Sequence, residues 1–389
     1  MLSDSSRYVR LIPDVVEIAK DEKNHIGVAI GGGSPYCPCL YVVQVFDDGP
    51  VAKDGRIHAG DELVAVNGTS VKGADKSQVA KMIKRTARSS FSGPLKLSVN
   101  RLQFDDEAGQ TLDITLKRLK HWWVEQMDAK TADAFGLSRA ILCNDMLAKL
   151  LRRLEANQAL YANLTRHAAA ISRQHYQLSE SMNMIASLFA EVAAREKEQN
   201  ERSKFFEDVS KCHRSFVKET PSLVSKIEQI ASTFRVYYEK AVPDTKDSVK
   251  KYLDKKFEYL SFCLKIKEMD DEEAQMAEYN DFLPRIDSGN YEYRIMLRSR
   301  EKSRESFIEM RKHVMIKIEI LDEKHVRELG LHLRSTIESL QVFHESCFKI
   351  IEEFRKEHPE DEVVTSHSNH STAGFVFDDQ AAPLIAADD

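Results

Sequence analysis

A chain of 389 residues, 42 % hydrophobic and 30 % charged with only 15 glycines and 10 prolines, has material for two or three cores and favours long helices. Its net charge of −6 is concentrated: from His358 to Asp389 seven acids stand without a lysine or arginine, so the remainder carries +1, which argues against a uniformly basic nucleic-acid binder. No stretch is apolar for long enough to span a bilayer, and the amino terminus lacks the apolar core of a signal peptide. Six scattered cysteines point to a reducing, intracellular compartment, in which Asn67-Gly68-Thr69 is an incidental sequon.

Short β-like runs dominate the first hundred residues: Val15 to Ala19, Ile26 to Ile30, Leu40 to Val45, Glu62 to Val66 and Leu95 to Val99. Gly, Pro, Asn and Asp punctuate them. One helical run, Lys76 to Arg88, carries Val79, Ala80 and Ile83 on one side. Strands around a single helix predict a small, partly open barrel with a groove between one strand and that helix. Gly31-Gly32-Gly33 has neither the spacing nor the Gly-Lys ending of a phosphate loop. Cys37 and Cys39 offer two thiolates, half of a tetrahedral zinc site; a reduced surface loop is the favoured reading.

The order of these pieces resembles a PDZ domain. His25-Ile26-Gly27-Val28 takes the place of that family's carboxylate-binding loop, with Lys20 at the preceding basic position. Ala59-Gly60-Asp61-Glu62-Leu63 followed by Val66-Asn67-Gly68 matches its most recognisable run. A glycine after the first apolar residue lets successive N–H groups converge on a terminal carboxylate. The peptide would add as a strand beside Val28 to Ile30, across from Lys76, Ala80 and Ile83. Lysine at position 76, where many PDZ domains carry histidine, implies tolerance of apolar as well as hydroxylated ligand residues.

From Leu102 to Ser138 a linker carries a helix with an ambiguous start, spaced through Leu116, Leu119, Trp123 and Met127. Trp122 and Trp123, beside Lys117, Arg118 and Lys120, have the pattern of an interfacial membrane helix; docking of the same face on a neighbouring domain competes on even terms.

Three long helices follow. A 3,4 spacing runs through Leu147, Leu150, Leu154, Asn157, Tyr161, Leu164, Ala168, Ile171, His175, Leu178, Met182, Ile185, Phe189 and Val192. Asn157 and His175 break this apolar seam, as register-fixing residues do. A charged patch from Arg195 to Lys204 turns the chain. A second seam runs from Val209 to Tyr237, with kinks expected at Pro221 and Pro243. It leads into a lysine-rich stretch holding Lys250, Lys251, Lys255, Lys256, Lys265 and Lys267. Asp270 to Gly289 reads as a loop. A third seam runs from Phe307 through Val314, Ile318, Leu333 and Ile337 to Ile351. Antiparallel helices of roughly 50 to 65 residues would be about 80 to 100 Å long. So slender a bundle cannot bury its apolar surface alone, which predicts a homodimer.

A curved, dimeric, lysine-lined bundle describes a BAR domain. The stretches Gly31 to Val45, Thr131 to Asp145, Pro243 to Glu273 and Asn290-Tyr291-Glu292-Tyr293-Arg294 resemble the PDZ-BAR scaffold family of proteins interacting with C kinase. That resemblance implies a multidomain α+β chain, a PDZ small β-barrel followed by an all-α three-helix antiparallel coiled coil. The expected boundaries are a flexible 1–13, PDZ 14–102, linker 103–137, BAR 138–356 and an acidic disordered tail 357–389. It implies a non-enzymatic adaptor that binds C-terminal tails of membrane receptors, transporters and protein kinase C, and anionic phosphoinositide membranes through Lys250, Lys251, Lys265 and Lys267. Trp122 and Trp123 would insert beside them, and Arg294, Arg298, Arg300 and Arg304 would extend the basic patch. Actin and its nucleation complex are further partners the family implies, and nucleic acid is not one. The expected location is cytoplasmic and peripheral to membranes: perinuclear or Golgi, endocytic vesicles, and synapses in neurons. No cofactor is required, with zinc on Cys37 and Cys39 the one candidate.

The chain departs from vertebrate members in its nearly neutral amino terminus and in a tail without cysteine, so calcium sensing and tail acylation are not carried over. No H-E-x-x-H, G-x-S-x-G or P-loop occurs. The competing reading is a cytoskeletal coiled-coil protein without lipid binding.

Overall fold

Alternation of apolar and polar residues makes β1 (Arg10–Ile18) a strand with one wet face: Val16 and Ile18 are buried while Val15 and Glu17 are exposed. In the computed structural model, which describes residues 9–35, 37–85, 93–126, 145–196, 200–279, 283–287 and 289–359, β1 pairs along its full length with β6 (Leu95–Gln103). The strand therefore begins inside the segment 1–13 expected to be flexible, because β6 continues past Val99 and supplies ladder partners for Arg10 to Pro13. Residues 1–8 lie outside the described residues.

The remaining strands are β2 (Val28–Gly32), β3 (Leu40–Val45), β4 (Glu62–Val66) and β5 (Thr69–Ser70). The sheet order is β1-β6-β4-β3-β2, with β5 on β4 and every pairing antiparallel. Two helices complete the module: α1 (Pro50–Asp54) and α2 (Lys76–Arg85). Val79 and Ile83 of α2 join Ile26, Leu40, Val42, Leu63, Leu95 and Leu97 in its core. The end of the helix expected to reach Arg88 lies outside the described residues.

α3 (Leu112–Gln126) is the linker helix. The long helices are α4 (Asp145–Arg195), α5 (Asn200–Val236), α6 (Val242–Glu278) and α8 (Tyr291–Glu357), with the short α7 (Pro284–Asp287) before the last. Most of Thr131 to Asp145, and the tail from residue 360, lie outside the described residues.

The chain forms two compact units, Met1–Ala156 with Ala241–Glu323, and Asn157–Lys240 with Lys324–Asp389. In the first, Leu147 of α4, Val249 and Tyr252 of α6, and Val314 and Ile318 of α8 share one buried cluster. In the second, the seam residue Tyr161 stacks on Tyr237 with ring centroids 4.0 Å apart and meets Phe234 edge-on at 5.3 Å. His175, the polar break in the first seam, lies edge-on against Phe343 at 5.3 Å, so it packs in the seam.

Of the two prolines expected to kink the helix, Pro221 lies within a continuous α5. Before Pro243 the backbone widens into a π-helical turn, Tyr237–Ala241, which makes room for a pyrrolidine ring that would collide with the carbonyl four residues back. The expected loop from Asp270 is helix as far as Glu278. Its acid-rich sequence contains no breaker, and its first turn is tied down: the Tyr293 hydroxyl donates to Asp270 at 2.6 Å and Arg285 Nη2 donates to the Met269 carbonyl at 2.9 Å.

Candidate functional site: an edge-strand groove and its helical support

β2 is the last strand of the sheet, so its outer edge presents unpaired N–H and C=O groups toward α2. The loop feeding it is held by its carbonyls. Ile26 C=O accepts the Val51 N–H at 3.0 Å and Gly27 C=O accepts the Phe46 N–H at 2.9 Å. In a trans peptide the N–H points opposite to the C=O, so the amides of Gly27 and Val28 face away from these partners, toward the groove. Gly27 is required twice over: its φ is +78°, and a Cβ there would lie 2.6 Å from the Gly49 Cα. Upstream, Asp21 Oδ1 accepts the backbone N–H of Lys23 at 2.9 Å and of His25 at 2.7 Å, closing the turn that delivers the loop.

The resulting groove has a volume of about 640 Å³ and is lined by His25, Ile26, Gly27, Val28, Ile30, Ala80 and Ile83 among others. Seven of the nine residues expected to bind peptide are therefore brought together. Lys20 stands beside them, its ammonium donating to the Ile83 carbonyl. Burial holds its pKa below the usual lysine value, yet its partner is a neutral carbonyl and leaves the positive charge uncancelled. Lys76 is exposed at the start of α2, at the other end of the groove.

The four arginines expected to extend a lipid-binding patch do something else: they clamp α8 to the sheet module. Arg294, 1 % exposed, donates from Nε to the Gly60 carbonyl at 2.8 Å. Arg298 donates to the Ala59 carbonyl at 2.7 Å and to Asp61 Oδ1 at 2.6 Å, and Asp61 is fully buried. Arg300 donates to the Val43 carbonyl at 3.0 Å, and Arg304 forks onto both oxygens of Asp47. Glu301 completes the joint by accepting the Ala59 N–H at 3.1 Å. Close approach fixes Gly60, since a Cβ there would lie 2.5 Å from the Arg294 carbonyl oxygen. Spacing showed a basic helix; it could not show that its acceptors were carbonyls and carboxylates of the chain's own first domain.

The lysines divide. Lys250, Lys251 and Lys267 are exposed, Lys250 with its side chain 78 % accessible beside Asp247. Lys265 is mostly covered and pairs with Asp113 of α3 at 3.1 Å. Lys256 is buried, its ammonium 5.6 Å from the centre of the Phe257 ring.

On α3 one face is docked and the other is open. Ile114 and Val124 are buried, His121 stacks on Phe257, and Lys117 and Arg118 pair with Glu268 and Asp254 of α6. Trp122 at 48 % and Trp123 at 55 % exposure stay on the open side with Leu112, Leu116 and Leu119.

Cys37 and Cys39 do not form a surface loop. Cys37 is buried, its sulfur lies 3.5 Å from that of Cys39, and the Cys39 thiol donates to the Gly289 carbonyl at 3.6 Å. That hydrogen bond between the sulfurs brings the Cys37 thiol down to about 7 and pushes Cys39 up. Among the described residues no third His, Cys, Asp or Glu joins them in a metal-ligand set; the one such group is Asp208, Glu357 and His358, elsewhere in the chain. Two sulfurs alone do not make a closed zinc site.

Comparison with known proteins fits this geometry. A PDZ-domain model matches residues 15–100, and an Arfaptin-like-domain model matches residues 115–351. The PRKCA-binding proteins of Homo sapiens and Rattus norvegicus are each 44 % identical over 340 residues, covering 87 % of this chain and 80 % of theirs. The Mus musculus protein is 44 % identical over 342 residues, covering 88 % of this chain and 81 % of its own. The chain belongs to the PRKCA-binding protein family. It is a scaffold-type protein that joins a PDZ domain to an Arfaptin-like, BAR-type helical domain. Among the described residues no helix is long and apolar enough to cross a membrane.

Proposed function

We propose that this chain is a dimeric, membrane-associated adaptor that binds the free C-termini of membrane receptors, transporters and kinases through the β2–α2 groove. The observation that carries this reading is the pair of outward-facing amides at Gly27 and Val28, beside an apolar pocket with Ala80 and Ile83 and next to the Lys20 ammonium. This is the equipment for a terminal carboxylate followed by an aliphatic side chain. The name of its relatives, PRKCA-binding protein, supports a kinase tail among the ligands. The test is a peptide ending in valine, measured as free acid and as amide. Binding of the acid alone is expected, and equal affinity of the two would refute the carboxylate nest.

The second half of the proposal is attachment to curved anionic phospholipid surfaces in the cytoplasm and on endocytic vesicles. Lys250, Lys251 and Lys267 support it, each contributing about 1 kcal/mol near an anionic surface, with Trp122 and Trp123 adding an apolar insertion. Lys265, mostly covered and held by Asp113 of α3, contributes less than Lys250, whose pair with Asp247 is exposed. Changing Lys250 and Lys251 together to Glu should strongly reduce co-sedimentation with phosphoinositide liposomes and leave peptide binding unchanged. Undiminished sedimentation would reduce the lysine face to a solvated helix surface, and a parent chain that does not sediment would favour the coiled-coil protein without lipid binding. Dimerisation is supported by apolar side chains left open in the second unit, among them Leu178, Met184 and Leu188 of α4 and Val326, Ile337, Val342 and Phe348 of α8. No cofactor is needed for any of these steps.

A further inference from the structure

We propose that the peptide groove continues beyond β2 into a second cavity walled by α6, and that this cavity takes a basic side chain from the third to fifth residue before the ligand's terminus. The inference rests on the peptide-binding reading and extends it to a specificity subsite built by the helical domain.

The second cavity has a volume of about 340 Å³. One wall is Gly31 and Gly32 at the end of β2 with Lys76 at the start of α2; the other is Asp270 and Glu273 on α6, with Tyr293 of α8 alongside. Its place along the groove follows from register. A terminal carboxylate held by the Gly27 and Val28 amides lies at the beginning of β2, so the ligand strand runs antiparallel to β2. With one ligand residue opposing each strand residue, a terminal residue opposite Val28 puts the third residue before it at Gly31 and the fourth at Gly32. The next residue upstream leaves the sheet where α6 stands.

The chemistry of the second cavity is acidic. Asp270 accepts the Tyr293 hydroxyl at 2.6 Å and is thereby aimed. Glu273 is half-buried and, among the described residues, has no cation within ion-pair distance. Burial raises its pKa and the neighbouring Asp270 adds to the rise, outweighing the opposing pull of Arg285 and Lys76. The lining carries two carboxylates and one exposed lysine, Lys76; Arg285 stands nearby but is paired with Glu272 at 3.4 Å, so the surroundings remain net negative for a ligand cation. The apolar remainder of the lining, including Leu283 and Ile286, suits the methylene stem of a lysine or arginine. An acidic ligand residue would meet like charge.

The test uses the full chain and ten-residue peptides that share one aliphatic terminus and carry Arg, Ala or Glu at the third, fourth or fifth residue before the last. In the best register Arg is expected to bind about fivefold tighter than Ala, and Glu about fivefold weaker. Glu273→Gln should shrink the Arg-over-Glu preference and Glu273→Lys should reverse it, both leaving the Ala peptide's affinity unchanged. An Arg-over-Glu ratio that is the same in parent and Glu273→Gln, or absent from a parent that binds the Ala peptide, would overturn the subsite. A parent that fails to bind the Ala peptide would overturn the groove reading itself, and the subsite with it.

Discussion

Replacing Arg298 with Ala should loosen the joint between α8 and the PDZ module more than any exposed substitution. Its guanidinium is mostly buried and serves two acceptors, the Ala59 carbonyl at 2.7 Å and the fully buried Asp61 at 2.6 Å. Removing one partner of a buried pair strands the other, and such losses run to about 3–5 kcal/mol. Asp61 keeps two backbone donors, from His58 at 2.9 Å and Leu102 at 2.8 Å, which places the expected loss at the lower end, about 3 kcal/mol. The readouts are the urea midpoint of the first transition and hydrogen exchange at Ala59. That amide donates to Glu301 across the joint and should become unprotected, while the Gly60 amide, bonded to Val42 inside the sheet module, should not. Arg334→Ala is the control: its ion pair with Glu338 is exposed on one helix and should be worth less than about 0.5 kcal/mol. Equal stability of Arg298→Ala and Arg334→Ala, with Ala59 still protected, would refute the clamp.

Further outcomes follow from the same structure. Burial and the neighbouring Arg298 charge hold His58 below its usual value, so the unfolded chain binds that proton more readily. Stability should therefore be full above about pH 6.5 and fall as pH drops below it, and His58→Gln should flatten that slope in pH-dependent urea titrations. Ile337→Asp, at a site 66 % exposed in the single chain, should turn a dimer into a monomer by sedimentation equilibrium without lowering the helix content; an unchanged mass would dismiss α8 as the interface. Trp123→Ala should weaken liposome binding equally at low and high salt, whereas Lys251→Glu should matter less as salt rises; matching salt curves would contradict separate roles.

Legibility in the sequence followed how local the physical cause was. Ala59-Gly60-Asp61 and His25-Ile26-Gly27-Val28 were readable because each constrains its own backbone, through a positive φ or a close approach. β3 and β4 matched their apolar runs for the same reason. α1 and β5 were missed because five and two residues are too few to show a period. The extension of α6 past Asp270 was missed because acid-rich composition reads as loop, although Asp and Glu do not end a helix. Least legible were the partners of charges. Lys265 meets Asp113 from a helix about 150 residues upstream, and Arg304 meets Asp47 from the PDZ module; such pairings exist only once the chain is folded.

The character of the clamp says where the chain can change. Three of its four arginines take backbone carbonyls, those of Val43, Ala59 and Gly60, which do not depend on side-chain chemistry, although close approach restricts position 60 to glycine. On the PDZ side the joint therefore depends on main-chain position, and Asp61 is the one buried side chain it demands. On the helix side it depends on planar, multi-donor heads that reach two acceptors from one residue, as Arg298 does. Lysine's ammonium has three donors but no planar fork, so it cannot reproduce the fixed two-acceptor geometry of a guanidinium. The groove residues Ile26, Ala80 and Ile83 take no part in the clamp, so the pocket for the ligand's last side chain can vary while the support for the groove stays fixed.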